Sequence, residues 1–155
     1  MKRKMACGLA VLGIVALAGS NGWAKGFDND DVKGTYVESF DGDQGNPPGA
    51  EEPNGHIPVA GVGIETADGH GNISGTVNQN VNGTPCEGTI AGTYTVNTDG
   101  SGSSSVVFTP STGFSGTLCQ KATNNFGFAI VSHKQIDFYT TNPDSVIHGV
   151  AKKQE

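Results

Sequence analysis

The sequence predicts an all-β protein, a single antiparallel up-and-down β-barrel of about eight to nine short strands. Three observations predict it. Gly makes up 24 of the 155 residues, about twice its usual share, and only 15% of the residues are charged. Apolar residues alternate with small or polar ones at period two, which is typical of half-buried strands. Gly, Asn, Asp and Pro interrupt this alternation at the spacing of hairpin turns.

Each predicted strand is an alternating segment that ends at a turn signal. The first has the sequence KGTYVESF and ends at Asp41-Gly42. Asp-Gly, Asn-Gly and Asn-Pro pairs separate the later segments, because these residues favour tight turns. The nine predicted strands lie at residues 33–40, 59–67, 73–81, 89–98, 103–109, 117–122, 126–131, 136–140 and 146–152.

Short connections favour a closed barrel over a two-sheet β-sandwich, which is the alternative architecture. A sandwich needs longer crossovers between its sheets. Glycines inside strands, such as Gly61, Gly63, Gly75 and Gly92, suit the bends of a small barrel. Residues 41–58 contain four Pro and no periodicity, which predicts a long loop. This loop is either a flap over the barrel mouth or a solvated segment.

The first 24 residues have the pattern of a secretory signal peptide. A basic start at residues 2–4 precedes an apolar run over residues 5–18, and small residues follow it. The apolar run is too short for a comfortable membrane span, so we expect export to the periplasm or the medium without membrane insertion. Cleavage is expected after Ala24, with Ala18 as the alternative site.

Removal of residues 1–24 leaves an acidic chain without arginine. The formal net charge changes from −6 to −9, because three N-terminal cations are lost. Nucleic-acid binding needs arginine and lysine side chains against the phosphates, so this composition excludes a nucleic-acid partner. It also disfavours binding to anionic lipid. Residues 25–32 are predicted to be a flexible acidic N-terminus, followed by a single barrel domain at 33–153.

Cys86 and Cys119 are the two cysteines that follow the predicted signal peptide. An even pair in an exported protein predicts one disulfide, which would contribute roughly 3–4 kcal/mol in the chain-entropy model. The alternative is a redox-active or metal-binding pair. Neither Cys-x-x-Cys spacing nor a nearby histidine supports that alternative.

No motif assigns a catalytic residue, a cofactor or a metal site. No two histidines have the helical spacing of a zinc motif, and three of the four lie in predicted turns or loops. The segment from Asp68 to Asn72 resembles part of a calcium loop, but its Asp-Gly pair is also a hairpin signal. Glu38, Glu65 and Tyr94 lie on predicted strands. Inside a barrel these would suit acid–base catalysis, whereas strand acids more commonly face water.

Four segments carry distinctive motifs at turns and strand ends. They are 33–36, 60–75 with its Asp-Gly-His-Gly-Asn turn, 92–100 and 141–153. Together they resemble a family of small exported β-rich proteins of environmental bacteria. The resemblance covers nearly all of the chain after residue 24 and implies a shared fold and export, without an activity. The order of strands is also similar to that of lipocalin-like barrels, although a Gly-Thr-Tyr sequence replaces their Gly-x-Trp start.

Three classes of function remain open. A small-ligand binding barrel would hold an apolar or amphipathic molecule without catalysis. A structural or interaction protein of the envelope or secreted matrix would need no site, and a barrel isomerase or cyclase would enclose a reactive substrate. We expect the first class. Its predicted apolar lining is Ile90, Tyr94, Val106, Phe108, Phe126, Phe128 and Phe138.

Overall fold

Each strand pairs antiparallel with the next one in the chain, and the last strand pairs with the first, which closes the barrel. The computed structural model describes residues 25–45, 55–114 and 116–155, so the predicted signal peptide lies outside the described residues. The strands are β1 (Gly34–Gly45), β2 (His56–Ala67), β3 (Asn72–Val81), β4 (Thr84–Val96), β5 (Ser101–Pro110), β6 (Ala122–Ser132), β7 (Gln135–Thr140) and β8 (Val146–Lys153). The predicted up-and-down barrel is therefore confirmed, and the alternative β-sandwich is wrong.

The connections lie at two ends of the barrel, here called the helix end and the loop end. The helix end holds a 3-10 helix (Asn29–Val32) before β1 and the short turns 68–71, 97–100 and 133–134. At the loop end, β1 ends at Gly45 and β2 begins at His56, and this end also holds the connections 82–83, 111–121 and 141–145. Among the described residues, no helix is long and apolar enough to cross a bilayer.

The polar start of the loop predicted at 41–58 is strand instead. β1 continues to Gly45, paired along its length with β2 and as far as Asp43 with β8. Backbone hydrogen bonding on two sides therefore outweighs the low strand propensity of Asp and Gly. Gly42 has a φ of 150°, and a side chain there would overlap the backbone of β8. The middle of the predicted loop, residues 46–54, lies outside the described residues.

The short strand predicted at 117–122 is wrong. Residues 116–119 form a turn closed by one antiparallel bridge, and β6 begins only at Ala122. The disulfide between Cys86 and Cys119 is present, as the sequence predicts, and its Cα atoms are 5.7 Å apart. Because the disulfide ties this connection to β4, the segment covers the loop end and does not extend the sheet.

Residues 25–32 close the helix end, unlike the flexible N-terminus predicted for them. Asp28 accepts a hydrogen bond from the backbone N–H of Asp30, and the Asp31 carboxylate accepts one from the N–H of Asp28. This reciprocal pair is a capping box, which starts the 3-10 helix. Val32 is 3% exposed and packs into an apolar cluster inside the barrel. One apolar residue thus anchors an otherwise acidic segment.

Inward-facing glycines accept aromatic rings from neighbouring strands. A Cβ atom at any of these glycines would overlap the ring, so glycine is required by the close approach. The pairs are Phe40 with Gly61, Phe108 with Gly88, Phe128 with Gly102 and Phe138 with Gly149. Each ring lies over a neighbouring strand instead of pointing to the barrel axis, which leaves space at the centre.

Candidate ligand cavity

A cavity of about 170 Å³ lies inside the barrel. Side chains from all eight strands line it, together with Val32 from the helix end and Leu118 from the loop end. Two apolar clusters contribute to the lining. One surrounds Val32 and Tyr94 at the helix end, and the other surrounds the disulfide at the loop end. Apolar side chains therefore contribute to the lining near both ends of the cavity.

All seven residues predicted to form an apolar lining do line this cavity: Ile90, Tyr94, Val106, Phe108, Phe126, Phe128 and Phe138. Strand register explains why they meet. Ile90 of β4 is opposite Phe108 of β5, and Phe128 of β6 is opposite Phe138 of β7. The Phe126 and Phe138 rings pack edge to face with centroids 5.6 Å apart, a favourable aromatic geometry.

Two glutamates, Glu38 of β1 and Glu65 of β2, also line the cavity. Glu38 is only 8% exposed, and burial raises the pKa of its carboxyl to about 7. Burial and the charge of Glu38 raise the pKa of Glu65 to about 8. Both carboxyls therefore face the interior. This differs from the more common orientation, in which acids on strands face water.

The position of Glu38 follows from the residues around it. Tyr36 and Phe40 lie two residues away on either side and line the cavity, so period-two alternation places Glu38 on the same inner face. Its partner in β2 is Gly63, and a Cβ atom there would overlap the Glu38 carboxyl. The carboxyl thus lies across the glycine, two residues from Glu65 on the same face of β2.

Neither glutamate has a hydrogen bond or an ion pair with any residue that the structure describes. The three ion pairs found there join exposed side chains: Lys25 with Asp28, Lys134 with Glu155 and His148 with Asp41. Among the described residues, every fully buried side-chain oxygen has a hydrogen-bond partner. Because the Glu38 oxygens have no such partner, they are not fully buried. The rest of the Glu38 side chain is buried, so the accessible surface of its oxygens faces the cavity.

Tyr36, Tyr94 and Lys153 are further titratable groups near Glu38 and Glu65. The Lys153 ammonium of β8 lies 6.0 Å from the centre of the Tyr36 ring, near the helix end. Burial, with the charge of Glu65 and the nearby Tyr94, raises the pKa of Tyr36 to about 12, so its hydroxyl stays neutral. Within the described part of the chain, the titratable residues that line the cavity are thus two tyrosines and two glutamates, all of them acids.

The hydroxyl of Tyr94 ties the cavity wall to the helix end. It accepts a hydrogen bond from the Gly69 N–H at 2.9 Å and donates one to the Asn29 carbonyl at 3.1 Å. The Asn29 side chain in turn accepts the N–H of Val96 at 2.9 Å. The 3-10 helix is therefore held to β4 and to the turn that precedes β3.

The turn at 68–72 and the histidines lie on the outside of the barrel. The Asp68 carboxylate accepts hydrogen bonds from the N–H groups of His70 and Asn72 and from the Asn72 side chain, which lowers the pKa of Asp68 to about 2. These contacts are those of a hairpin turn. All four histidines are exposed, and the part of the chain that the structure describes brings no three potential metal ligands together.

Comparison with known proteins shows the fold alone. No family model matches the sequence, and no curated protein matches it. Two solved structures are similar to it, and both are redesigned β-barrels. One has a TM-score of 0.50 and 15% identity over 82% of this chain and 95% of its own. The other, mFAP1 bound to DFHBI, has a TM-score of 0.51 and 14% identity over 81% of this chain and 97% of its own.

Proposed function

We propose that this protein is an exported barrel that binds a small, mainly apolar molecule in its interior without catalysis. The observation that carries the proposal is the aromatic cavity of about 170 Å³. An apolar cavity of about 150 Å³ is large enough to bind benzene. This cavity therefore suits a molecule of on the order of ten non-hydrogen atoms.

A barrel with a purely structural role has no need of an internal space. Protein cores are normally close-packed, because each void loses dispersion contacts and weakens the fold. Here Ser104, Asn124 and Gln79 line the cavity where larger apolar residues would fill it. One of the similar barrels is bound to DFHBI, so a barrel of this fold is compatible with a bound molecule.

Access to the cavity is expected at the loop end. Leu118 and Thr117 of the β5–β6 connection line the cavity, as does Gln44 at the end of β1. At the opposite end, Val32 is buried and the 3-10 helix is held by the hydrogen bonds of Tyr94 and Asn29. A ligand that enters at the loop end displaces side chains of one connection, whereas entry at the helix end would break this network.

Export is part of the proposal and has separate support. Disulfides persist in oxidising compartments, such as the periplasm and the extracellular medium. The Cys86–Cys119 pair is consistent with such a compartment. The basic and apolar pattern of residues 1–24 supplies the sequence argument for a signal peptide.

Native mass spectrometry of protein purified from its own host tests both parts of the proposal. We expect a mass that starts at Lys25, or at Gly19 if cleavage follows Ala18, together with a bound molecule of low mass. A full-length chain in the cytoplasm would contradict export. Protein that is always empty, and that also fails to bind naphthalene in calorimetric titration, would contradict ligand binding.

Adjacent serines of β5 provide a matched pair of variants for this experiment. Ser104 lines the cavity, whereas Ser105 is exposed on the outer face. Ser104→Leu fills the cavity and is expected to weaken naphthalene binding at least tenfold, while Ser105→Leu leaves binding unchanged. Equal binding by the two variants would place the ligand outside the barrel. Recovery of a chemically changed ligand would instead indicate catalysis by the interior carboxyls.

A further inference from the structure

We propose that the ligand carries a basic nitrogen, which Glu38 and Glu65 bind inside the otherwise apolar cavity. This inference rests on the proposed binding function and names the chemical class of the ligand. The ligand would be an amine attached to a compact apolar or aromatic body. Its ammonium group would lie against β1 and β2, and its apolar part against the phenylalanines of β5, β6 and β7.

The first argument is the lack of a partner for Glu38 within the described chain. Transfer of an ionised carboxyl into an apolar interior is costly unless a cation or hydrogen-bond donors satisfy it. Glu38 is more than nine-tenths buried, and no donor among the residues described reaches it. A ligand that supplies an N⁺–H donor would remove this cost, because charge-assisted hydrogen bonds are the strongest available to a carboxylate.

The second argument is the charge of the lining. Among the described residues, the titratable groups of the lining are Tyr36, Glu38, Glu65 and Tyr94, and each of these can carry only a negative charge. The Lys153 ammonium lies 6.0 Å from the centre of the Tyr36 ring, and Lys153 is outside the set of lining residues. An anionic ligand such as a fatty acid would be repelled, and a neutral apolar ligand would leave the carboxyls unsatisfied.

The third argument is geometry. Glu38 and Glu65 are diagonal neighbours on adjacent antiparallel strands, since Glu38 is opposite Gly63. Diagonal residues on one face lie about 7–8 Å apart at the backbone, which allows two glutamate side chains to converge on one ammonium group. Phe40, two residues from Glu38, also lines the cavity, and aromatic faces attract cations.

A matched series of probes tests this inference: benzylamine, benzyl alcohol and benzoate at pH 7.5, with naphthalene as the neutral reference. We expect benzylamine to bind at least tenfold more tightly than benzyl alcohol in calorimetric titration, and benzoate not to bind. The preference should disappear in the Glu38→Gln/Glu65→Gln double variant and persist in Glu87→Gln, a matched change at an exposed position of β4. The double variant should fold, because a neutral amide replaces each buried acid.

The dependence on pH gives an independent readout. Benzylamine is expected to bind more tightly as the pH rises from 6 to 8, since both carboxyls have a raised pKa and must lose a proton to bind a cation. Benzyl alcohol should show no such change. Of the other groups near the two glutamates, Tyr36 and Tyr94 have a raised pKa and stay neutral in this range, and Lys153 lies beside the Tyr36 ring.

The possible failures are distinguishable. If naphthalene and benzylamine both bind without a preference for the amine, the basic-nitrogen inference is wrong and the binding function stands. The same conclusion follows if the double variant keeps the preference. If no probe binds wild-type protein while Ser104→Leu and wild type behave alike, the binding function itself is wrong.

Discussion

The two ends of the barrel are closed by different kinds of interaction. At the helix end, a capped 3-10 helix is held by the hydroxyl of Tyr94 and the side chain of Asn29, and the turns are short. At the loop end, the long β5–β6 connection is held by the Cys86–Cys119 disulfide and by apolar packing of Leu118. Side-chain hydrogen bonds fix the 3-10 helix to β4 at the first end, whereas a covalent bond fixes the β5–β6 connection to β4 at the second.

Loss of the disulfide should have a large effect on stability and should act on one end. The double variant Cys86→Ala/Cys119→Ala is expected to lower the free energy of unfolding by about 3–4 kcal/mol, because the cross-link closes a loop of 33 residues in sequence. Urea unfolding measures this loss. Hydrogen exchange should show that residues 111–121 lose protection first. Equal loss of protection at the helix-end turn 68–71 would contradict the difference between the ends.

The interior carboxyls between the two ends should make stability depend on pH. Their folded pKa values, about 7 for Glu38 and about 8 for Glu65, lie above the ordinary value of 4.5. As the pH rises from about 5 to 8, the unfolded chain ionises first and is stabilised, so the free energy of unfolding falls. The fall is at most about 1.4 kcal/mol per pH unit for each carboxyl.

Urea unfolding at pH 5, 6, 7 and 8 checks this slope. Glu38→Gln and Glu65→Gln should flatten it, and Glu87→Gln, at an exposed position of β4, should leave it unchanged. Aspartates with a lowered pKa, such as Asp68, titrate below this window. A slope of the opposite sign between pH 5 and 8 would show that the two carboxyls are not buried.

Removal of the Tyr94 hydroxyl should have the smallest of these effects, and at the other end. Tyr94→Phe leaves the Gly69 N–H and the Asn29 carbonyl without their partner, which should cost about 1–2 kcal/mol in unfolding free energy. The matched control is Tyr139→Phe on the outer face, where the side chain is 56% exposed and the change should be close to zero. Hydrogen exchange of the Gly69 amide should also become faster in Tyr94→Phe. If Tyr94→Phe and Tyr139→Phe are equally stable, the Tyr94 hydroxyl does not hold this end.

Much of the barrel was predictable from the sequence, because period-two alternation and turn residues act locally. The cavity lining followed from the same alternation, with all seven predicted residues on the inner face. The strand predicted at 117–122 failed because a disulfide to a distant strand decides the path of that segment. Local composition also misplaced the end of β1, where pairing with β8 depends on residues at the other end of the chain.

For Glu38, residue type and strand periodicity predict opposite orientations of the side chain. Acidic residues usually face water, which favoured an outward position for Glu38. Its neighbours Tyr36 and Phe40 fixed the strand face, however, and a single residue cannot turn outward without moving both of them. The sequence therefore contained a signal for an inward-facing acid, because Glu38 lies between two aromatic residues that are each two positions away on the same strand.

The seam between β1 and β8 joins the first and last strands of the barrel. Until the final residues of the chain arrive, β1 has a free edge and no complete interior exists. Shortening the protein by one strand would leave two unpaired edges, and unpaired edges are sites of aggregation.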